Sequence, residues 1–447
     1  MRLKLLTLAL ALSAFPLAGH SEDLLDAYRE ARANDPVLSQ AEATRLATGE
    51  GVTQARAVML PQLNGSFGLQ QQSSGNSNNS TGTGVNSGAG HVRTRSLSAT
   101  LNQTVLDLSQ WANLSAAHSQ ASSQNATYEA ALQALYVRVT TAYFGVLTSQ
   151  DALVFAKANE DAYKEAYDQA DQRFKVGLSA VTDVYQAKSY YELAKAQTIA
   201  AQNTLNDAKE ALTQITGKPV NDLKKLREDL PLTPPTPADP DAWVQAALKA
   251  NPTIESGQYT VEAAEHTVNA ARAGHLPTLN ASVSRGKDTS WLENGSYNNL
   301  TRGNGEYGTT VGLSVNIPIF SGGATQSKVR QSIYQRDEAQ DSLESTRRQV
   351  VRDTLNYYRS VLAGISQVEA NKASVDSGQK ALEATRAGFD VGTQTMLNVL
   401  NAIQTLTQAE SSYSQSRHAL VLDQLSLKQS AGSIDLKDME LVNTMLQ

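Results

Sequence analysis

Cysteine is absent from the 447 residues, which excludes disulfides, thiolate metal sites, cysteine nucleophiles and a lipidated N-terminal cysteine. Charged residues make up only 18% of the chain and aromatics 6%, both below the usual shares for a globular domain. The net charge of -6 provides no concentrated basic face, so no nucleic-acid partner is expected. Long apolar runs are also missing. Mean hydropathy is -0.36, and after the N-terminal region no run of about 18 apolar residues suggests a membrane helix. Proline is missing from 62–218 and from 319–447, as long helices require.

What is present begins with an address. Arg2 and Lys4 precede an apolar stretch from Leu5 to Ala14, followed by Pro16 and the small-residue zone Ala18-Gly19-His20-Ser21. This is the form of a secretory signal peptide, residues 1–21, with cleavage expected after Ser21. Ten to twelve apolar residues are too few to cross roughly 30 Å of hydrocarbon. The chain is therefore expected to leave the cytoplasm.

The remainder is written twice. Pro36, Arg56, Pro61, Leu63 and Asn64 return as Pro252, Arg272, Pro277, Leu279 and Asn280. Tyr143-x-x-Val146-Leu147 returns as Tyr358-x-x-Val361-Leu362, Phe174-x-Val176-Gly177 as Phe389-x-Val391-Gly392, and Gly217 as Gly432. An ordered series at a nearly constant offset of 215–216 marks a tandem duplication. Six of the twelve prolines fall between Pro219 and Pro240, which reads as a stiff extended linker over 219–240. The repeats are then 22–218 and 241–447.

Each repeat reads as a helix, two strands, a very long helix and a final helix. The first helices are expected over about 36–58 and 252–274, each ending near a Leu-Pro pair. Period-two alternation, as in Leu63, Gly65, Phe67, Leu69 and in Val311, Leu313, Val315, Ile317, predicts strands. These are placed at about 62–72 and 94–106, then about 278–286 and 308–320. The long helices are expected over about 109–174 and 322–388, the final ones over about 181–216 and 396–431. Leu132, Leu135, Val139, Ala142, Val146 and Val351, Leu355, Tyr358, Leu362, Ile365 follow the 3-4 spacing of coiled-coil packing. A helix of such length spans roughly 100 Å, more than an ordinary globular core needs.

Residues 73–93 and 286–307 are polar loops rich in Gly, Asn and Ser, suited to water. The strands have the roughly 9–11-residue length and alternation of transmembrane β-strands. Four strands cannot close a barrel, and an open edge is not tolerated in lipid. Three chains of four would give twelve strands and an open lumen; a dimer of eight is not excluded by this arithmetic. The rival reading is a soluble periplasmic or surface coiled-coil scaffold with an ordinary sheet.

The signal peptide, the duplication, Leu-Pro-x-Leu before each first strand, and Asn316-Ile-Pro-Ile-Phe-Ser-Gly-Gly together resemble the TolC family of outer-membrane channel proteins. The most specific piece is Val-Gly-Thr-x-Thr-x-x-x-Val-Leu-Asn-Ala at 391–402. The resemblance implies an α+β membrane protein of the Gram-negative outer membrane. Its homotrimeric 12-strand β-barrel would continue as a long periplasmic α-helical barrel. It also implies an exit duct for efflux or type I secretion, working with a periplasmic adaptor and an inner-membrane pump or ABC transporter. No cofactor is implied.

Sites follow from the same resemblance. The hairpin tips Val176, Gly177, Leu178, Ser179 and Val391, Gly392, Thr393 would meet the adaptor. Thr182, Asp183, Phe389 and Gln394 match positions that can lock the tip, where Phe389 and Gln394 replace the family's Tyr and Arg. Asn398 and Asn401, on one helix face, match a pore constriction that is acidic in some members. Trp111, just after the second strand, is either an interfacial anchor or an ordinary packed aromatic. Lys224, Lys225 and Arg227 read as a solvated face.

No enzyme is expected. The run Gly303-Asn-Gly305-Glu-Tyr-Gly308 matches GxGxxG in letters but precedes a strand, whereas a dinucleotide site follows one. His91, His118, His266, His275 and His418 lack metal-ligand spacing.

Overall fold

A computed structural model of the chain describes residues 22–73, 91–220, 222–293 and 305–447. The signal peptide, the middles of both strand-joining loops and the start of the GxGxxG-like run lie outside the described residues. The chain divides into two compact units. One holds the residues up to Ala43 with Ala126–Glu255 and Ser345–Gln447; the other holds Thr44–Asn125 and Ser256–Glu344.

In chain order the elements are α1 (Leu24–Asn34), α2 (Pro36–Ala57), β1 (Gln62–Ser73), β2 (His91–Leu106), α3 (Leu108–Lys175) and α4 (Val181–Thr216). The second repeat supplies α5 (Pro240–Ala250), α6 (Pro252–Ala273), β3 (Thr278–Glu293), β4 (Tyr307–Asn316), α7 (Ala324–Asp390), α8 (Met396–Ser430) and α9 (Leu436–Thr444). The duplication is therefore visible element by element, with α9 the one element of the second repeat that has no counterpart in the first.

The sheet belongs to the second unit. Its order is β1-β2-β3-β4, all antiparallel. Register sorts its residues into two faces, because successive side chains point oppositely. One face carries Leu63 opposite Leu101, Leu101 opposite Val283 and Val283 opposite Val311. The other carries Asn64, Thr100, Ser284 and Thr310 in one row. Hydroxyls pair across that polar face: Ser66 Oγ lies 2.7 Å from Ser98 Oγ, and Thr94 Oγ1 lies 3.0 Å from Ser290 Oγ. Leu63, Phe67, Leu69, Val311 and Leu313 are exposed, so no helix among the described residues covers the apolar face.

Within the same unit, Ser123 Oγ on α3 lies 3.0 Å from both Ser256 Oγ and Thr260 Oγ1 on α6. Gly257 of α6 faces Leu343 of α7 so closely that a Cβ would meet its Cδ1 at 2.9 Å. Small side chains thus let these helices approach each other.

The other unit is built on a wide buried stripe of α3: Leu135, Val139, Tyr143, Phe144 and Val146. By length and composition α3 could cross a membrane, which the sequence reading did not anticipate. Its most apolar side chains are instead enclosed by α1, α4, α8 and α9. Tyr28 of α1 stacks on Tyr136 at 4.8 Å, and the buried carboxylate of Asp35 accepts from Arg138 Nη2 at 2.5 Å and from the Leu38 N–H at 2.8 Å.

Several expectations need correction. Residues 219–240 are not a free linker at their start. Val220, Leu223 and Leu226 are buried in the core, and Leu223 bridges Glu22 while Leu226 bridges Leu446. Here apolar residues outweigh the proline-rich context. The helices α1, α5 and α9 were not foreseen; each is short and is capped by an aspartate side chain, from Asp23, Asp239 and Asp435.

β2 and β3 extend into the presumed loops, to His91 and Glu293, because backbone pairing continues through polar residues. β4 stops at Asn316 rather than at 320, since Pro318 has no N–H for the ladder. Midway along α7 the buried positions are Val350, Thr354, Tyr358, Val361 and Val368, while Leu362 is 40% exposed. The stripe thus runs one residue to the side of the spacing read from the sequence at Val351, Leu355 and Leu362.

Candidate functional site

The two helical hairpins turn at matched places. After α3 the Leu178 N–H donates to the Arg173 carbonyl at 2.8 Å and the Gly177 N–H to the Phe174 carbonyl at 2.9 Å. After α7 the Thr393 N–H donates to the Gly388 carbonyl at 2.8 Å and the Gly392 N–H to the Phe389 carbonyl at 3.1 Å. Both are the double bond of a Schellman close, which needs a left-handed residue; Gly177 has φ 78° and Gly392 φ 81°. The tip side chains Val176, Leu178 and Val391 are 69%, 77% and 76% exposed.

Beneath the turns the hairpins share an apolar core of Tyr163, Ala166, Ala170, Val184, Ala187, Phe389, Met396, Val399, Leu400 and Ile403. Tyr163 donates its hydroxyl to the Leu400 carbonyl at 3.3 Å. Burial, with Tyr190 beside it, pushes that phenol up to about 12.

Thr182 is exposed on the first turn of α4. Asp183 accepts from Ser179 Oγ at 2.7 Å, a partner from its own hairpin. Gln394 Oε1 accepts from Asn398 Nδ2 at 2.7 Å, and Asn401 is exposed one turn further along α8. Phe389 is buried. Among the described residues no hydrogen bond joins Thr182 or Asp183 to Phe389 or Gln394.

The link between hairpins runs from Phe389, one of the positions named above, to residues that the sequence reading missed. Arg173 sits over the Phe389 ring, 4.3 Å from its centroid. Its Nη1 reaches the Phe389 carbonyl and its Nη2 the Asp390 carboxylate, both at 3.4 Å. Gln169 Nε2 meets the same carboxylate at 3.4 Å. The duplication held the clue, because it pairs Arg173 with Gly388. A Cβ at 388 would meet Gln394 Cγ at 2.7 Å, so a side chain there would have to displace Gln394.

Trp111, on the first turn of α3 after β2, is 58% exposed. Lys224 and Arg227 lie near Asp23 and Asp229, and backbone bonds tie Lys225 to Gln447 and Arg227 to Met445. Among the described residues no cluster of His, Asp and Glu could hold a metal ion.

A family model described as outer membrane efflux protein matches residues 27–218 and 243–433. The chain belongs to the outer membrane efflux protein family. It is 33% identical over 448 residues to the outer membrane protein TolC of Escherichia coli strain K12, covering 98% of this chain and 88% of that one. It is 29% identical to the alkaline protease secretion protein AprF of Pseudomonas aeruginosa, covering 94% and 86%. The fold is similar to that of the Campylobacter jejuni CmeC outer membrane channel, with a TM-score of 0.77 at 18% identity over 95% and 90% of the two chains.

This efflux-family chain is an outer-membrane protein with the family's α+β fold, and its function is that of an outer-membrane export duct. The family is one of channels rather than enzymes. A soluble scaffold is not favoured: its sheet would need a cover for the apolar face, and none is present among the described residues.

Proposed function

We propose that three copies of this chain form a passive exit duct through the outer membrane and into the periplasm. The observation that carries this is the four-stranded sheet, apolar on one face and polar on the other, with β1 and β4 as bare edges. In lipid those edges must pair with other copies, and three copies give the smallest barrel with an open lumen. Ser, Thr and Asn would line that lumen, and Leu63, Phe67, Val311 and Leu313 would face lipid. Trp111 would anchor the periplasmic surface.

A periplasmic adaptor would dock on the hairpin tips. Val176, Leu178 and Val391 stand in water there, and at Gly177 and Gly392 even an added Cβ would touch nothing. An inner-membrane pump or ABC transporter would drive the cargo. Asn398 and Asn401 would form an uncharged polar ring at the constriction. Tip closure would rest on contacts inside the chain, Arg173 on Phe389 and Asp390, rather than on Thr182, Asp183 and Gln394.

The deciding experiment is planar-bilayer recording of detergent-extracted protein, with ion selectivity read in the same traces. Small, steady openings with weak cation preference are expected. Release of the protein from membranes by salt or alkali, together with failure to insert, would sink the proposal.

A further inference from the structure

A groove of about 750 Å³ is lined by α3, α7, α8 and the segment 225–229, all inside one compact unit. Its floor carries Leu147, Ser414, Arg417 and His418, all buried. Two of these polar side chains are already engaged. Ser414 Oγ donates to the Asp151 carboxylate at 2.6 Å, and His418 Nδ1 lies 2.8 Å from Thr148 Oγ1.

Arg417 is less well provided for. It is only 8% exposed, and its Nη2 donates to the backbone carbonyls of Leu226 and Arg227. The guanidinium lies 5.4 Å from the centroid of the Tyr413 ring. Its Nε has no hydrogen-bond partner, and among the described residues no carboxylate forms an ion pair with it. Carbonyl dipoles hold such a cation in place but leave its charge unbalanced, and a buried charge is costly until an opposite one meets it.

Two turns earlier on the same helix stands the opposite case. Glu410 also lines the groove and is half-buried, and among the described residues its side chain makes no hydrogen bond or ion pair. Burial raises its pKa, as befits a carboxylate drawn from water with no cation beside it. Seven residues at 1.5 Å each put Glu410 and Arg417 about 10 Å apart on one face of α8. Half-buried Tyr413 and Phe155 line the space around them. Lys225, Lys372, Glu228, Asp229 and Asp376 are exposed along the groove, so its outer charges are of both signs. Mixed charge of this kind suits neither a simple anion nor a simple cation.

We propose that this groove binds a short peptide with both ends free, its carboxylate on Arg417 and its ammonium on Glu410. A guanidinium fork matches a carboxylate in two bonds, and each desolvated charge gains the partner it lacks. Length sets the specificity. An extended chain covers about 3.3–3.6 Å per residue, so three residues span the distance, whereas a single amino acid holds its charges too close together to reach both. The rings of Phe155 and Tyr413 favour apolar side chains between the ends. All the groups involved come from one chain and lie outside the sheet.

The test is calorimetric titration of the detergent-extracted assembly with trialanine, with its N-acetylated and C-amidated forms, and with alanine itself. Trialanine should bind at least about tenfold tighter than each of the other three, the usual loss when a charged hydrogen-bond partner is removed. Glu410→Gln should remove the discrimination against the acetylated peptide and keep that against the amidated one. Equal binding of blocked and free trialanine, or binding of alanine as tight as that of trialanine, would overturn the proposal. So would no binding at all, or a Glu410→Gln protein that still rejects the acetylated peptide. Arg417 also braces the backbone of residues 226–227, so the carboxylate end is tested by amidation rather than by replacing that side chain. If Glu410→Gln does not assemble, the four ligands on the unaltered protein decide.

Discussion

The guanidinium of Arg173 lies 4.3 Å from the ring centroid of Phe389, and it joins the end of the first long helix to the end of the second. The ring is buried while the cation is partly open to water. The contact therefore combines packing with charge, and it is made inside one chain. A phenylalanine suits this role because it presents a face rather than a hydroxyl.

Replacing Arg173 should loosen the tip. An exposed cation–π contact and a partly screened ion pair together contribute about 1 kcal/mol, so Arg173→Ala should raise the open population roughly fivefold. Asp183→Ala should change resting conductance little, because Asp183 already has Ser179 as its partner. Single-channel recording checks both. A large increase from Asp183→Ala alone would reveal a partner on a neighbouring copy and reverse the assignment.

The constriction offers a charge test. Asn398→Asp/Asn401→Asp would bring six carboxylates together in a trimer, attracting cations and raising one another's pKa values. Cation over anion permeability should rise several-fold, and block by multivalent cations should appear, both read from reversal potentials. Unchanged selectivity would remove these residues from the pore.

Much of this was legible because repetition and alternation are physical signatures. Leu63 and Leu279 began equivalent strands, and Gly177 and Gly392 marked equivalent turns. What was not legible lay where context overrides pattern. Polar Lys287 to Ser290 looked like loop, yet they pair with β2 through backbone groups that no side-chain pattern reports. Val220 and Leu226 looked like linker beside the prolines, yet the core takes them. Arg173 stood one residue before a recognised motif, and only its partners across the hairpin give it a role.

Glycine positions separate strain from space. Gly177 and Gly432 both have left-handed backbones, with φ 78° and 69°. An added Cβ at Gly177 touches nothing, whereas at Gly432 it would run into the Ala250 carbonyl. Gly177→Ala should cost only the left-handed strain, about 1–2 kcal/mol, and keep the assembly intact. Gly432→Ala should sharply reduce the yield of folded protein. Equal thermal stability of the two variants would contradict this packing.

Acid should weaken the buried centre around His418. Its Nδ1 lies 2.8 Å from Thr148 Oγ1, and its ring lies 5.3 Å from Phe144. Burial lowers its pKa to about 4; the Asp151 carboxylate opposes this shift and Arg417 reinforces it. Asp151 is itself engaged by Ser414 Oγ at 2.6 Å, and Arg417 is held by the Leu226 and Arg227 carbonyls. Above pH 6.5 the imidazole is neutral in both folded and unfolded chains, and its contribution is fully present. Between pH 6.5 and about 4 only the unfolded chain takes up the proton, so stability falls as pH falls. The loss is about 3 kcal/mol by the low end of that window. His418→Gln keeps a hydrogen-bonding group for Thr148 but cannot titrate. Melting followed by circular dichroism from pH 7.5 to 4.5 should therefore show a shallower decline in the variant than in the unaltered protein. Parallel declines would mean that His418 takes up its proton in the folded chain as readily as in the unfolded one.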